Sequence, residues 1–323
     1  MKRILVILCS LILCGSQQLS AQQQPIFSSY LLNPFFYNPA VSGSENIHRL
    51  NVNYRDQWSG FEGAPKTFSA SMYGSLKDRQ KHGYGLMIVS DKIGLTARTG
   101  VYANYSYGIK LNKKTSLRLG ISPGFLQYRV RLYDVRVFDG GDDLLTGNIL
   151  SENALDINAG FHLHNEKFFF GGSFSHVLGK AASFTTFNDQ LRLHYNLMGG
   201  YEFKLNKKFD LQPIVVARYT QSAPVQADLT LRWLYMKNIW LSTSYRTSDA
   251  VSLGLGYIVK DRLWIGYTYD YTLTSIRAYQ GGSHEIGISY ALTKKKPTLD
   301  DKDEELNNSI MDKYKKKKES EEQ

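Results

Sequence analysis

Few residues of this chain have the types and spacing that catalysis or metal binding requires. The segment 284–288 begins like a zinc-protease helix, but Ile288 stands where the second histidine ligand is needed. His162 and His164 are two residues apart and share one face of a strand, where ordinary placement in an interior is favoured over a metal site. A G-x-S-x-G motif is absent, and Gly179 with its following lysine lacks the upstream glycine of a phosphate-binding loop. The sequence therefore predicts no enzyme, no cofactor and no catalytic residue.

One acidic loop carries oxygen ligands that a calcium ion could use. Asp139, Asp142 and Asp143 lie among glycines in the stretch DGGDDLLTGN. Hard oxygen ligands on a surface loop can hold Ca²⁺, but this spacing matches no defined calcium-binding loop. A solvated turn is the favoured interpretation and a calcium site is the alternative, which a calcium titration without binding would remove.

The start of the chain has the features of an export signal. Residues 1–21 combine Lys2 and Arg3 with a short apolar stretch and a small residue, Ala21, at the cleavage position. Cleavage there removes both cysteines of the chain, so disulfides and thiolate metal sites are not expected in the mature protein. An exported chain without a basic stripe is also not expected to bind nucleic acid.

Alternation of apolar and polar residues with a period of two dominates the chain after residue 45. In 225–233, for example, every second residue is apolar, from Val225 to Trp233, and the residues between are Gln, Asp, Thr and Arg. Many such runs reach the roughly 9–11 residues that a tilted strand needs to cross a bilayer. We predict strands at about 46–58, 66–76, 83–91, 96–111, 115–128, 154–164, 167–177, 191–205, 208–220, 224–235, 239–247, 250–260, 263–272 and 283–292.

The connections between these strands alternate in length. Short polar links at 112–114, 165–167 and 236–238 alternate with longer links such as 129–153 and 178–190, an asymmetry typical of outer-membrane barrels. A closed barrel also pairs every backbone group in hydrocarbon. We therefore predict an all-β fold, a transmembrane antiparallel β-barrel of about 14 strands surrounded by outer-membrane lipid. A soluble β fold is the alternative.

The predicted barrel, residues 46–292, divides the chain into four parts. A signal peptide (1–21) is followed by a plug or collar segment (22–45), where two Asn-Pro pairs predict an extended, non-helical lead-in. A charged, flexible tail (293–323) follows the barrel, and it is either solvated or docks a partner. With an even number of strands, both mature termini are expected at the periplasmic, short-turn end. Polar residues expected to face the lumen are Asn104, Lys110, Asp228, Arg232, Asp270 and Glu285.

Two sequence blocks near the start resemble the PorP/SprF family, outer-membrane barrels linked to the type IX secretion system of Bacteroidota. The family pattern N-P-x-x-Y-N-P-A is followed there by Y-R-x-Q-W-x-G-F-x-G-A-P-x-T. The first block is matched here by Asn33, Pro34, Tyr37, Asn38, Pro39, Ala40 and Gly43. The second is matched by Tyr54, Arg55, Gln57, Trp58, Gly60, Phe61, Gly63, Ala64, Pro65 and Thr67.

This resemblance implies a multi-pass barrel in the outer membrane that works with the type IX machinery. The resemblance also implies a partner, because family members look like partners of individual large surface adhesins, including gliding adhesins. They act in export of the adhesin or in holding it at the cell surface through its C-terminal domain. One branch belongs to the core apparatus and contacts periplasmic components, and the charged tail would suit such a contact. A passive or substrate-specific pore is the alternative function.

Some of the shared residues are candidates for contact with a partner or with the plug. Aromatic residues on a tight loop bury a large area at a small cost in entropy, so Trp58 and Phe61 are partner-binding candidates. Closing the barrel mouth or packing on the plug is the alternative role. The remaining partner-binding candidates are Tyr54, Arg55 and Pro65, and the plug or collar candidates are Asn33, Pro34, Tyr37, Asn38 and Pro39.

Overall fold

A computed structural model describes residues 24–76, 81–131, 149–179, 181–183, 188–221 and 223–293. Three predicted features lie outside the described residues. They are the signal peptide (1–21), the acidic loop with Asp139, Asp142 and Asp143, and the tail from residue 294 onward.

The chain forms a closed antiparallel barrel of 14 long strands, as the alternating sequence pattern predicts. Each of these strands pairs with the preceding and following one, and the first strand also pairs with the last, which closes the ring. The strands are β1 (Arg49–Asp56), β2 (Lys66–Ser75), β3 (His82–Ile93), β4 (Thr96–Lys110), β5 (Ser116–Arg131), β6 (Ile149–His164), β7 (Phe168–Ser175), β10 (His194–Tyr201), β12 (Phe209–Thr220), β13 (Gln226–Tyr235), β14 (Ile239–Arg246), β15 (Ala250–Val259), β16 (Leu263–Thr272) and β17 (Ser283–Ala291).

Three shorter strands accompany the barrel. β8 (Ala181–Ser183) and β9 (Asn188–Gln190) pair with each other outside the main sheet, and β11 (Phe203–Lys204) extends the pairing with β12. The small β8–β9 hairpin lies in a link that the sequence pattern leaves without strands. β5 and β6 are longer than predicted, since their hydrogen-bonded ladder continues to Arg131 and Ile149. Backbone pairing does not require lipid-facing side chains, so a strand can continue where the apolar pattern ends.

The two faces of each strand have different surroundings. On β1, Leu50 and Val52 are exposed on the outside of the barrel, whereas Asn51 and Asn53 are each 2% exposed on the inside. A row of exposed aliphatic residues over the whole outer surface is the pattern of strands that face lipid. In the described part of the chain, no helix is long and apolar enough to cross a membrane.

Exposed tyrosines lie near both ends of the outer surface, where amphipathic rings suit the boundary between lipid and water. The end with the short connections, here the short-turn end, includes Tyr107, Tyr201, Tyr235, Tyr257 and Tyr290. The opposite end, here the loop end, includes Tyr54, Tyr195, Tyr219, Tyr245 and Tyr271.

Both ends of the barrel sequence meet at the short-turn end. The N–H of Leu292 donates to the carbonyl of His48 at 2.8 Å, and the N–H of His48 donates to Thr293 Oγ1 at 3.0 Å. The described chain begins elsewhere. Gln24 Nε2 lies 3.3 Å from the hydroxyl of Ser175, which ends β7 at the loop end. Residues 24–46 therefore start at the loop end. The even strand number leads us to expect the N-terminus at the short-turn end.

Candidate functional site

Residues 24–46, here the plug segment, run through the lumen from the loop end to the short-turn end. The two Asn-Pro pairs do not give a wholly extended chain. Each proline opens a single 3-10 turn, Pro34–Phe36 and Pro39–Val41, because its fixed φ and missing N–H suit the first helical position. Asn38 itself is extended, and its Oδ1 accepts a hydrogen bond from the N–H of Ala40 at 2.9 Å.

Aromatic residues of the plug segment fill the middle of the lumen. The rings of Phe27 and Phe36 meet edge to face at 4.8 Å, and Phe35 stacks on Tyr73 of the barrel wall at the same distance. Such ring pairs add to the energy gained by burying the rings. The cluster extends to buried wall residues of β3, β4 and β12, namely Met87, Tyr102, Ile214 and Val216.

Glycines of the barrel wall allow the plug backbone to approach closely. A Cβ at Gly120 would lie 2.4 Å from the backbone nitrogen of Ala40, and one at Gly83 would lie 2.3 Å from the carbonyl oxygen of Ser42. Any larger residue would collide with the plug backbone at these two positions. Side chains of the plug occupy the corresponding space at Gly85, Gly160, Gly171, Gly266 and Gly287.

Polar contacts hold the second half of the plug near the short-turn end. The hydroxyl of Ser42 donates to Asn104 Oδ1 at 2.5 Å, and its carbonyl accepts from Ser106 Oγ at 2.6 Å and from Arg118 Nε at 2.9 Å. Asn38 Nδ2 donates to the carbonyl of Phe161 at 2.8 Å. These contacts reach strands β4, β5 and β6, so this part of the plug is attached to one side of the barrel.

The first half of the plug is held by buried ions on the other side. Ser28 Oγ donates to Asp270 Oδ2 at 2.6 Å, and accepts from Arg246 Nη2 at 2.8 Å and Arg55 Nη1 at 3.1 Å. The backbone N–H of Ser28 donates to Glu285 Oε2 at 2.7 Å. Ser29 adds its N–H and its hydroxyl, both donated to Glu285 Oε1. We call Ser28, Ser29, Arg55, Arg246, Asp270 and Glu285 the ion-pair cluster.

Ion pairs between strands extend this cluster along the loop end of the lumen. Arg246 Nη1 lies 3.1 Å from Asp249 Oδ2, and its Nε lies 3.4 Å from Asp228 Oδ1. Arg218 Nη1 lies 2.9 Å from Asp228 Oδ2. Buried charges carry a large desolvation cost, and pairing with several hydrogen bonds offsets it. The hydroxyls and backbone amides of the plug therefore supply hydrogen bonds to Arg55, Arg246, Asp270 and Glu285 that the barrel strands do not supply.

Two tyrosines of the plug donate hydrogen bonds within this interior. Tyr30 donates to Thr230 Oγ1 at 2.5 Å, and Tyr37 donates to the carbonyl of Phe27 at 2.9 Å. Both hydroxyls serve as neutral donors that fix the fold of the plug.

The predicted plug residues lie in the lumen and contact either the barrel wall or the plug itself. Asn33 Nδ2 donates to Asn53 Oδ1 at 3.1 Å, which joins the plug to β1. Pro34 and Pro39 open the two 3-10 turns described above, while Tyr37 and Asn38 make the hydrogen bonds described above. Asn33, Tyr37, Asn38 and Pro39 are buried, and Pro34 is partly exposed.

The predicted partner-binding residues do not form one surface. Arg55 is 2% exposed and belongs to the ion-pair cluster, so it is not available to a partner at the surface. The strand period explains this placement, since Arg55 and Tyr54 must face opposite sides of β1. Tyr54 is on the lipid-facing side. Trp58, Phe61 and Pro65 lie together in the β1–β2 loop.

That loop, residues 57–65, is fixed by hydrogen bonds to two neighbouring loops. The N–H of Ser59 donates to the carbonyl of Gly282 at 2.7 Å, and the N–H of Gly94 donates to the carbonyl of Gly63 at 2.8 Å. The N–H of Trp58, whose φ is 53°, donates to Ser283 Oγ at 3.1 Å. Trp58 is half-buried, whereas Phe61 is 42% exposed at the loop end.

The sequence of this plugged barrel was compared with models of known protein families. The sequence model described as "Type IX secretion system membrane protein PorP/SprF" matches residues 19–290. The chain belongs to the PorP/SprF family. It is accordingly an outer-membrane β-barrel of the type IX secretion system. A comparison with curated proteins finds no match.

Several solved outer-membrane barrels are similar to this PorP/SprF protein in outline. The toluene transporter TbuX of Ralstonia pickettii has 10% identity and a TM-score of 0.49, with 82% of this chain and 93% of that chain covered. The monoaromatic hydrocarbon channel CymD has 10% identity and a TM-score of 0.49, with 84% and 94% covered. A Pseudomonas aeruginosa FadL homologue has 11% identity and a TM-score of 0.46, with 79% and 93% covered. These values are too low to transfer any property to this chain.

Three histidines of the PorP/SprF barrel make ordinary contacts with other rings or hydroxyls. His162 and His164 stack at 5.0 Å, and His284 makes a 2.6 Å hydrogen bond with the hydroxyl of Tyr267 on the outer surface. Among the described residues, no group of three or more His, Cys, Asp or Glu could hold a metal ion. Sequence reasoning did not identify Ser28, Ser29 and Arg246 as plug contacts. No local signal marks them, because the contacts of Ser28 and Ser29 with Glu285 and of Ser28 with Arg246 join residues more than 200 positions apart.

Proposed function

We propose that this protein is a non-enzymatic barrel that helps to export a large surface protein or to anchor it at the cell surface. The cargo would be of the gliding-adhesin type and would be held through its C-terminal domain. The observation that carries the proposal is the combination of a filled lumen with a fixed β1–β2 loop that presents Phe61 at the loop end. A filled lumen suits a docking platform better than an open channel.

The β1–β2 loop has the properties of a preorganised binding element. Backbone hydrogen bonds to residues 94 and 281–282 fix its shape, so little conformational entropy is lost when a partner binds. Phe61 supplies an exposed apolar anchor, and Trp58 supports it from the half-buried side. Rigid aromatic anchors of this kind often dominate the binding energy of an interface.

For the orientation, we propose that the short-turn end faces the periplasm and the loop end faces outward. Short periplasmic turns and longer outer loops are the rule in bacterial barrels. The tail that begins at residue 293 would then start in the periplasm, where it could contact secretion components. Gln24 would lie near the outer mouth, so the plug would cross the membrane within the lumen.

The first experiment is a mild-detergent pull-down of the tagged full-length protein from native outer membranes, followed by mass spectrometry. A single large surface protein in near-equal amount would support the anchoring role and identify the cargo. Periplasmic secretion components alone would contradict anchoring and assign the protein to the core apparatus. A barrel that purifies alone and conducts ions would favour the pore.

A variant test separates docking from assembly. Phe61→Ser should abolish display of the cargo at the surface while the barrel still assembles, because Phe61 is an exposed loop residue outside the β1–β2 ladder. Trp58→Ala should have the same effect. Tyr279→Ser is a matched control, since Tyr279 is also an exposed aromatic residue of the loop end, 74% exposed, but lies on another loop. Unchanged display in the Phe61 variant would refute the docking role of this loop.

A further inference from the structure

A cavity remains between the plug and one side of the barrel. Its volume is about 280 Å³, and it reaches the turn 165–167 at the short-turn end. A dry apolar cavity of about 150 Å³ is known to hold benzene, so this space admits a small molecule with one ring. Its lining is mostly apolar and includes Tyr37, Tyr73, Phe169, Met198, Arg232 and Trp264.

Arg232 is a buried cation at the edge of this cavity, and the described residues supply no ion-pair partner for it. The residue is 5% exposed, and its Nε and Nη2 are buried with no hydrogen-bond partner among the described residues. Within the same part of the chain, no carboxylate lies within ion-pair distance of it, although three glutamates, Glu45, Glu166 and Glu202, line the cavity and Glu202 attracts it at longer range. Of these, Glu45 pairs with Arg49 at 2.9 Å, and Glu202 accepts from Gln212 at 2.5 Å.

Two tryptophans add further donors without acceptors. The indole Nε1 atoms of Trp240 and Trp264 are also buried and have no partner in the described chain. The guanidinium of Arg232 lies over both rings, 5.1 Å and 5.9 Å from their centres. The rings stabilise the cation but supply no acceptor. Donor groups thus gather here without an acceptor, and unpaired buried donors are costly.

The geometry of the unpaired atoms indicates the chemical class of the missing acceptor. Nε and Nη2 lie on one edge of the planar guanidinium, the edge that binds a carboxylate through two parallel hydrogen bonds. The aromatic and aliphatic walls of the cavity would contact an apolar body. A water molecule in a 20 Å³ space beside Arg232 and Trp240 is the competing explanation for these donors.

We propose that this cavity binds a small carboxylic acid with an aromatic body, whose carboxylate pairs with Arg232. The ring of the acid packs between the plug and the barrel wall, close to Trp264. The site faces the short-turn end, away from the β1–β2 loop. It is therefore a ligand site in addition to the proposed docking function and does not depend on it.

Phenylacetate is a suitable probe because it combines one ring with one carboxylate and is soluble. The protein has four tryptophans, at 58, 233, 240 and 264, so the double variant Trp58→Phe, Trp233→Phe leaves only the two beside Arg232. Titration of this full-length protein in detergent should change the tryptophan fluorescence in a saturable way. Phenylacetamide has the same shape without the charge and should bind at least about tenfold more weakly, since charge-assisted hydrogen bonds are about twice as strong as neutral ones.

Two arginine variants test the contact directly. Arg232→Met in the same background should abolish the saturable response, while Arg129→Met, which removes an exposed arginine at the loop end, should leave it unchanged. Arg232→Met retains the apolar stem and removes a charge without a partner, so the barrel should fold normally. Heat-dependent migration of the barrel in electrophoresis tests whether this variant folds. Calorimetric titration of the Trp264→Phe variant measures the binding of phenylacetate independently of tryptophan fluorescence.

The outcomes decide between a ligand and a water. Equal binding of acid and amide, or no response to phenylacetate in a folded barrel, would overturn the proposal and leave water as the partner of Arg232. Tighter binding of an acetylated Gly-Phe dipeptide acid than of phenylacetate would support the same site with a chain terminus as the source of the carboxylate. Tighter binding of phenylacetate would support a free organic acid.

Discussion

Arg55 Nη2 lies 2.7 Å from Asp270 Oδ2, although the strands that carry these residues, β1 and β16, are separated by β17. The side chains are 3% and 1% exposed. The pair therefore spans a strand inside the lumen, and the hydroxyl of Ser28 hydrogen-bonds to both members, donating to Asp270 Oδ2 and accepting from Arg55 Nη1. Barrel closure and plug attachment share one group of ions at this point.

Removing one member of this pair should destabilise the barrel strongly. Asp270→Asn removes the charge that Arg55 and Arg246 share and leaves them only Glu285, Asp228 and Asp249. Breaking a buried pair costs about 3–5 kcal/mol. The temperature at which the barrel unfolds, detected as a change in its electrophoretic mobility, should fall. Lys66→Ala is the control, because the Lys66 pair with Asp56 is 3.7 Å long and its lysine side chain is 55% exposed. Such a surface pair contributes about 0–1 kcal/mol, and equal effects of the two variants would contradict this account.

Loss of one plug hydroxyl should loosen the plug and leave the barrel intact. Ser28→Ala removes an acceptor from two arginines and a donor to Asp270, an unsatisfied state that costs about 1–3 kcal/mol. Hydrogen–deuterium exchange of peptides from the plug segment should become faster, while exchange in the strands stays slow. Ser69→Ala is a matched control, since Ser69 is fully buried on the lumen face but its hydroxyl has no partner in the described chain. Protection of the plug that is identical in all three proteins would refute the role of Ser28.

The barrel could be predicted from the sequence because each strand carries its own signal. The alternation of Leu50 and Val52 with Asn51 and Asn53 specifies which face meets lipid, and the pairing of consecutive strands follows from the short links. The strand ends were less predictable. Hydrogen bonding carries β5 to Arg131 without any continuing apolar alternation.

The plug contacts could not be predicted in the same way. Alternation shows that Asp270 and Glu285 face the lumen, but a polar face does not indicate which residues meet within it. Ser28 contacts Glu285 across 257 positions of the sequence, and its pattern resembles that of any polar linker. Arg55 illustrates the resulting error. Its place in a shared motif made it a candidate for partner binding, although the strand period places it on the inner face.

A bulky residue in the barrel wall should displace the plug. In Gly120→Val the new side chain would collide with the backbone of Ala40. β5 cannot move away from the plug without breaking its hydrogen bonds to β4 and β6. We expect the variant to show stable ion conductance in planar bilayers, whereas the parent barrel remains closed. Gly199→Val is the control, because Gly199 faces outward and a Cβ there meets only ordinary contacts at 3.4 Å or more. A closed Gly120 variant that still assembles would show that the plug accommodates the change.

A covalent lock tests whether the plug moves during function. The hydroxyl oxygens of Ser42 and Ser106 are 2.8 Å apart, and the mature chain is expected to have no cysteine, so Ser42→Cys, Ser106→Cys should form a single disulfide between plug and β4. If the protein anchors its cargo on a permanently filled barrel, surface display should be the same with and without reductant. The single variant Ser42→Cys controls for the substitution itself. Display that is lost in the oxidised double variant and restored by reduction would instead require the plug to leave the lumen, because only the tether distinguishes the two conditions. The anchoring proposal expects no such difference, since Phe61 and its loop lie at the opposite end from the lock.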